Sequence, residues 1–104
     1  MKTIMVRYKT SEKQADANEA LVHAVFDELR KSAPGGLRYT CYRSTADATF
    51  VHVATLDVPD ENPLTGLASF KAFQKDLKDR CVELPTFMEL SAVDSYAVVA
   101  SAVS

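Results

Sequence analysis

The order in which apolar alternation and helical periodicity follow one another is the strongest constraint this sequence places on its fold. Apolar residues alternate with polar ones around Ile4 to Lys9, from Leu37 to Arg43, from Thr49 to Asp57 and around Met88 to Tyr96, which is the period-two signature of strands. Helical patterns occupy the segments after the first and third runs. Strand, long helix, two strands, second helix and strand within 104 residues predict a four-stranded antiparallel sheet with both helices on one face. The other face is then left bare and calls for a partner.

A chain of this length builds one hydrophobic core, so a single domain over 1–104 is expected. With 47% hydrophobic and 25% charged residues it has the composition of a folded globular chain, not of a disordered one. Its 12 Lys and Arg against 14 Asp and Glu give a net charge of -2, with the basic residues scattered among acids, so nucleic acid is not an expected partner. Arg7 and Lys9 interrupt the first apolar segment, so neither an export signal nor a membrane span is expected. The two cysteines, Cys41 and Cys81, belong to no CxxC or Cys/His pattern, which fits a reducing cytoplasm and no bound metal.

Along the chain, Ser11-Glu-Lys-Gln14 reads as a capping box that starts the first helix. Leu21, Val22, Val25, Phe26 and Leu29 then fall on one stripe, and Ala33-Pro34-Gly35-Gly36 ends the helix. Leu37 to Arg43 and Thr49 to Leu56 form a hairpin around Ser44 to Ala48. A symmetric loop pairs residues whose numbers sum to about 93, which sets Cys41 opposite His52 and puts Tyr39 on the same face. Val58 to Pro63, with two prolines, is an irregular connection. A second helix over about Gly66 to Arg80 carries Leu67, Phe70, Phe73, Leu77 and Cys81 as its apolar stripe, and Pro85 closes that region before the last strand. The small apolar tail, Ala97 to Ser104, suits an extension of that strand, a segment lying on a partner, or a frayed end.

This βαββαβ order describes a ferredoxin-like fold. Phe50-Val-His-Val-Ala-Thr-Leu-Asp57, Asn62-Pro-Leu64, Phe70, Phe73, Arg80-Cys81 and Pro85 sharpen it into a resemblance to the antibiotic biosynthesis monooxygenase superfamily, the dimeric α/β barrels, over roughly Thr3 to Tyr96. The resemblance implies a homodimer with two sheets face to face, and a ligand between the sheet and the helices of each subunit. It also implies oxidation of a small aromatic or polyketide-like substrate by molecular oxygen without metal or flavin, because a deprotonated electron-rich phenol itself reduces oxygen. The chain departs from the quinone-forming members in having no tryptophan. It departs from the haem-degrading members in having no Asn in the first strand and no His between Gly66 and Arg80.

Among residues able to carry chemistry, His52 in a central strand is the candidate base, since imidazole exchanges a proton near neutral pH. Cys41 across from it could form a thiolate pair with it or simply pack against it. Tyr39 offers a hydroxyl to a phenol or carbonyl, Asn18 points a carboxamide inward from the apolar stripe of the first helix, and Gln74 sits at the edge of the second. Asn18, Tyr39, Cys41 and Gln74 are therefore the candidate substrate-binding groups. His23 reads as solvated; Arg7 or Arg38 could bind an anionic substrate or stabilise an enolate and Glu89 could act as a base, but ion pairing and solvent exposure are their commoner fates. No phosphate loop, nucleophile elbow or metal-spaced carboxylate cluster is present. Two functions fit: a cofactor-independent monooxygenase, or a non-catalytic dimer that binds a small ligand or serves as a scaffold.

Overall fold

A computed structural model describes residues 1–97. Beyond Ala97, the expectations for the tail lie outside the described residues. Strands β1 (Lys2–Thr10), β2 (Leu37–Arg43), β3 (Thr49–Leu56) and β4 (Cys81–Leu90) form one antiparallel sheet in the order β2-β3-β1-β4. Helix α1 (Ala15–Ser32) connects β1 to β2, and α2 (Ala68–Lys75) with the one-turn α3 (Leu77–Arg80) connects β3 to β4. This is the ferredoxin-like arrangement, with the helices on one face. The hairpin register is the expected one: Leu37 pairs with Leu56, Tyr39 with Ala54 and Cys41 with His52.

Tyr8, Val22, Val25, Phe50, Leu64, Leu67 and Phe73 form the core between sheet and helices. Alternation along β1 and β3 supplies Tyr8, Phe50 and His52 to that side, and the α1 stripe supplies Val22 and Val25. The same alternation sends Met5, Val51, Val53 and Met88 to the opposite, helix-free face.

Three boundaries differ from the sequence reading, the start of the first helix, the second helix and the last strand, while the first helix ends at Ser32 as expected. The Ser11 side chain makes no capping bond; residues Glu12–Gln14 instead form a 3₁₀ turn closed by Gln14 N–H on the Ser11 carbonyl, and α1 begins only at Ala15. The end of α1 uses Ala33, not a glycine, in the left-handed conformation (φ 44°), its N–H donating to the Leu29 carbonyl at 2.7 Å. The helix expected over Gly66 to Arg80 is a 3₁₀ turn, Pro63–Gly66, followed by α2 and α3 with a break at Asp76 (φ -117°, ψ 22°). Asn62 ties down the Val58 to Pro63 connection by accepting the Leu64 N–H at 3.0 Å on its side chain.

The last strand, expected around Met88 to Tyr96, starts at Cys81, ends at Leu90, and contains Pro85. β4 lies at the sheet edge, where a missing donor faces solvent, and its pairing with β1 shifts register between Arg7 and Lys9, alongside Glu83 to Thr86. A proline is tolerated in an edge strand at such an irregularity, so Pro85 interrupts the ladder without ending the strand.

Candidate functional site

A cavity of about 630 Å³ lies between the sheet and the α2 side of the helical layer. Its walls are mainly apolar, with Val6, Leu64, Phe70 and Phe73 among them and Leu84, Pro85 and Phe87 of β4 along one side. Tyr8, Tyr39, His52, Asn62, Thr65 and Gln74 bring polar atoms to it, and Lys78 a positive charge. Phe87 is 68% exposed, so the cavity reaches solvent beside β4. A shaped apolar space with a few convergent polar groups is the usual form of a small-molecule site.

His52 stands at the centre of the polar groups. It is 6% exposed, and both ring nitrogens are engaged: Nδ1 lies 2.6 Å from the Tyr39 hydroxyl and Nε2 lies 2.8 Å from the Tyr8 hydroxyl. Behind Tyr8, the Asn18 amide nitrogen donates to the Tyr8 hydroxyl at 2.8 Å, and Arg80 Nε donates to the Asn18 carbonyl oxygen at 3.0 Å. Arg80 Nη2 also donates to the Phe73 carbonyl at 2.7 Å, satisfying one of the orphan carbonyls at the end of α2. The guanidinium lies 5.5 Å from the Phe73 ring centroid. Asn18 and Tyr8 are completely buried and Arg80 is 7% exposed, so the row from Arg80 to His52 is shielded from water.

Burial sets the protonation states. Desolvation pulls the His52 imidazole down to about 4, so it is neutral at pH 7, and pushes the Tyr8 and Tyr39 phenols well above the ordinary tyrosine range. The Cys41 thiol is pushed up to about 12, first by burial and then by the Glu19 carboxylate. Its Sγ lies 3.5 Å from His52 Nε2, a neutral thiol beside a neutral ring and not a thiolate–imidazolium pair. Cys41 faces a second, smaller cavity of about 310 Å³ beneath α1, which shares Tyr39 with the first.

Of the residues singled out from sequence, His52, Tyr39 and Asn18 are brought into one network, Gln74 is an exposed rim residue of the larger cavity, and Cys41 touches His52 from the smaller one. Sequence reasoning missed Tyr8 and Arg80. His23 is exposed and pairs with Glu19, Arg7 pairs with Glu83, and Arg38 pairs with Asp57. Glu89 is exposed. Among the described residues, no group of three His, Cys, Asp or Glu side chains could hold a metal ion, and no helix is long and apolar enough to cross a membrane.

No family model matches this chain, and no curated protein matches it by sequence. Solved structures do match its fold. An antibiotic biosynthesis monooxygenase superposes with a TM-score of 0.74 at 14% identity, over 90% of this chain and 100% of its own. The Mycobacterium tuberculosis protein Rv0793 does so with 0.72 at 18% identity, over 90% and 96%. The chain has the antibiotic biosynthesis monooxygenase fold. A Bacteroides thetaiotaomicron structure named for the same superfamily superposes with 0.76 at only 8% identity, over 89% and 90%. At such identities the antibiotic biosynthesis monooxygenase likeness concerns backbone architecture, and the chemistry rests on this chain's own side chains.

Proposed function

We propose that this protein is a cofactor-independent monooxygenase, an oxidoreductase acting on a small electron-rich aromatic or polyketide-like substrate. The observation that carries the reading is the aromatic-walled cavity with the His52–Tyr39 pair on its floor. A hydroxylated ring fits against the wall made by Phe70 and Phe73, with its oxygen on the Tyr39 hydroxyl and Gln74 at the rim. His52 works through Tyr39, since both of its nitrogens are already engaged. Held deprotonated there, its proton lost to solvent through the open side, the ring gives one electron to oxygen. The radical pair combines into a C–O bond, the resulting peroxide anion takes a proton back from solvent, and loss of water from the hydroperoxide leaves a quinone. One oxygen atom ends in the product and the other in water.

In this reading the protein is a homodimer in a reducing cytoplasm, where Cys41 and Cys81 remain free thiols. The helix-free sheet face is the surface between the copies. Its apolar residues include Tyr42 and Met88, 58% and 55% exposed in the single chain, and covering them is what a second sheet would do.

The test is oxygen uptake with a panel of electron-rich naphthols and anthrones, followed by quinone absorbance. One oxygen consumed per quinone formed, with at least about a tenfold loss in His52→Ala and Tyr39→Phe, is the expected result. Tight binding of these compounds without uptake would instead establish a non-catalytic ligand-binding role.

A further inference from the structure

The hydrogen-bond row from Arg80 to Tyr39 has a direction. A guanidinium can only donate, so the Asn18 oxygen faces Arg80 and the Asn18 amide hydrogens face Tyr8. The Tyr8 oxygen accepts from Asn18. The hydroxyl hydrogen of this completely buried tyrosine must then find an acceptor, and His52 Nε2 at 2.8 Å is the remaining hydrogen-bond contact of that oxygen among the described residues. With Nε2 accepting, a neutral ring carries its proton on Nδ1 and donates it to the Tyr39 oxygen at 2.6 Å. The Tyr39 hydrogen is left without a partner in the row. Tyr39 is half-buried and lines the large cavity, so that hydrogen is available to a ligand.

We propose that Arg80, Asn18 and Tyr8 lock the His52 tautomer and thereby make Tyr39 an outward-pointing donor, so that the cavity selects ligands that bring an anionic oxygen, a phenolate or enolate, over neutral molecules of the same shape. The row starts at a fixed positive charge, and each hydrogen bond polarises the next in the same sense, which strengthens the final donor. The opposite tautomer would point the Tyr39 hydroxyl at Nδ1 and strand the Tyr8 hydrogen in the core. Tyr39 touches the ligand; Arg80, Asn18, Tyr8 and His52 are positioning residues. Resting on the monooxygenase reading, the proposal names the form of substrate the site holds.

Two measurements test it, and neither involves oxygen. The first is ¹⁵N NMR of the imidazoles, simple in a chain with two histidines, using His23→Gln to assign the spectrum. His52 is expected to show a protonated Nδ1 and a bare Nε2, and Tyr8→Phe to abolish that preference. The second compares the affinities of 4-nitrophenolate and nitrobenzene at a pH where the phenol is ionised. Wild type is expected to prefer the phenolate, and both Tyr39→Phe and Tyr8→Phe to weaken it about tenfold without changing nitrobenzene binding, the loss typical of one hydrogen bond to a charged group. A protonated Nε2 in wild type overturns the lock, whether or not Tyr8→Phe folds. Equal affinity for the two probes, or no binding of the phenolate, overturns the selectivity. If the lock and the selectivity hold and no oxygen is consumed, the monooxygenase reading fails alone; oxygen uptake with the wrong tautomer removes the relay alone.

Discussion

Arg80 Nε and Asn18 Oδ1 meet at 3.0 Å, joining the end of α3 to the start of α1 across 62 residues of sequence. The pair is buried and Arg80 carries a full charge, so the amide contributes more than its size indicates. Asn18→Ala removes the acceptor from the guanidinium and the donor from Tyr8 together. The expected cost is about 3 kcal/mol in urea denaturation, because a buried charge loses a partner and a buried hydroxyl loses its donor. A loss below about 1 kcal/mol would mean that the Phe73 carbonyl and ring hold Arg80 without help.

His52 makes stability depend on pH with a definite sign. Its folded value, about 4, lies below the ordinary 6.5, so between the two the unfolded chain binds a proton that the folded chain refuses. Stability is complete above pH 6.5 and falls as pH drops toward 4, by about 2.5 kcal/mol at pH 4.5. Denaturant titrations from pH 7.5 to 4.5 measure this slope. His52→Gln should flatten it. A slope unchanged in His52→Gln would place the responsible proton elsewhere.

The parts of this site that were legible in the sequence are those set by local geometry. The hairpin loop fixed the pairing of Cys41 with His52, and helical spacing turned Asn18 inward. Tyr8 was legible as a strand residue but not as the partner of His52, because that contact depends on β1 pairing with β3 across the α1 crossover. Arg80 was hidden by a sound general expectation, that cations face water. Here the break at Asp76 separates α3 from α2, and the final turn carries the guanidinium to the Phe73 carbonyl instead. Pro85 concealed the first residues of β4 because nothing local distinguishes a proline that ends an element from one at an irregular sheet edge.

Cys41 should be a slow nucleophile. With the thiol raised from 9.0 to about 12, its thiolate fraction near pH 8 is about a thousandfold below that of a free cysteine. Alkylation by iodoacetamide, followed by mass spectrometry of the native and urea-unfolded chain, should show Cys41 reacting far more slowly in the native protein. Comparable rates would mean that the thiol is ionised beside His52, and would revive a thiolate pair at this site.

Met88 tests the helix-free face as the contact between copies. It pairs with Met5 on the outer side of the sheet and is 55% exposed in the single chain, so Met88→Glu should change the stability of a monomer by no more than about 0.5 kcal/mol. In a face-to-face dimer the new carboxylate meets an apolar surface and its own symmetry mate, and both the desolvation and the like charge oppose association. Sedimentation equilibrium of the wild type is expected to give twice the 11.4 kDa chain mass, and Met88→Glu to shift it toward 11.4 kDa with the circular dichroism spectrum unchanged. A wild type that sediments at 11.4 kDa leaves this face open to a different partner, and an unaffected dimer in Met88→Glu moves the contact to the β4 edge, where Val82 and Leu84 are also exposed.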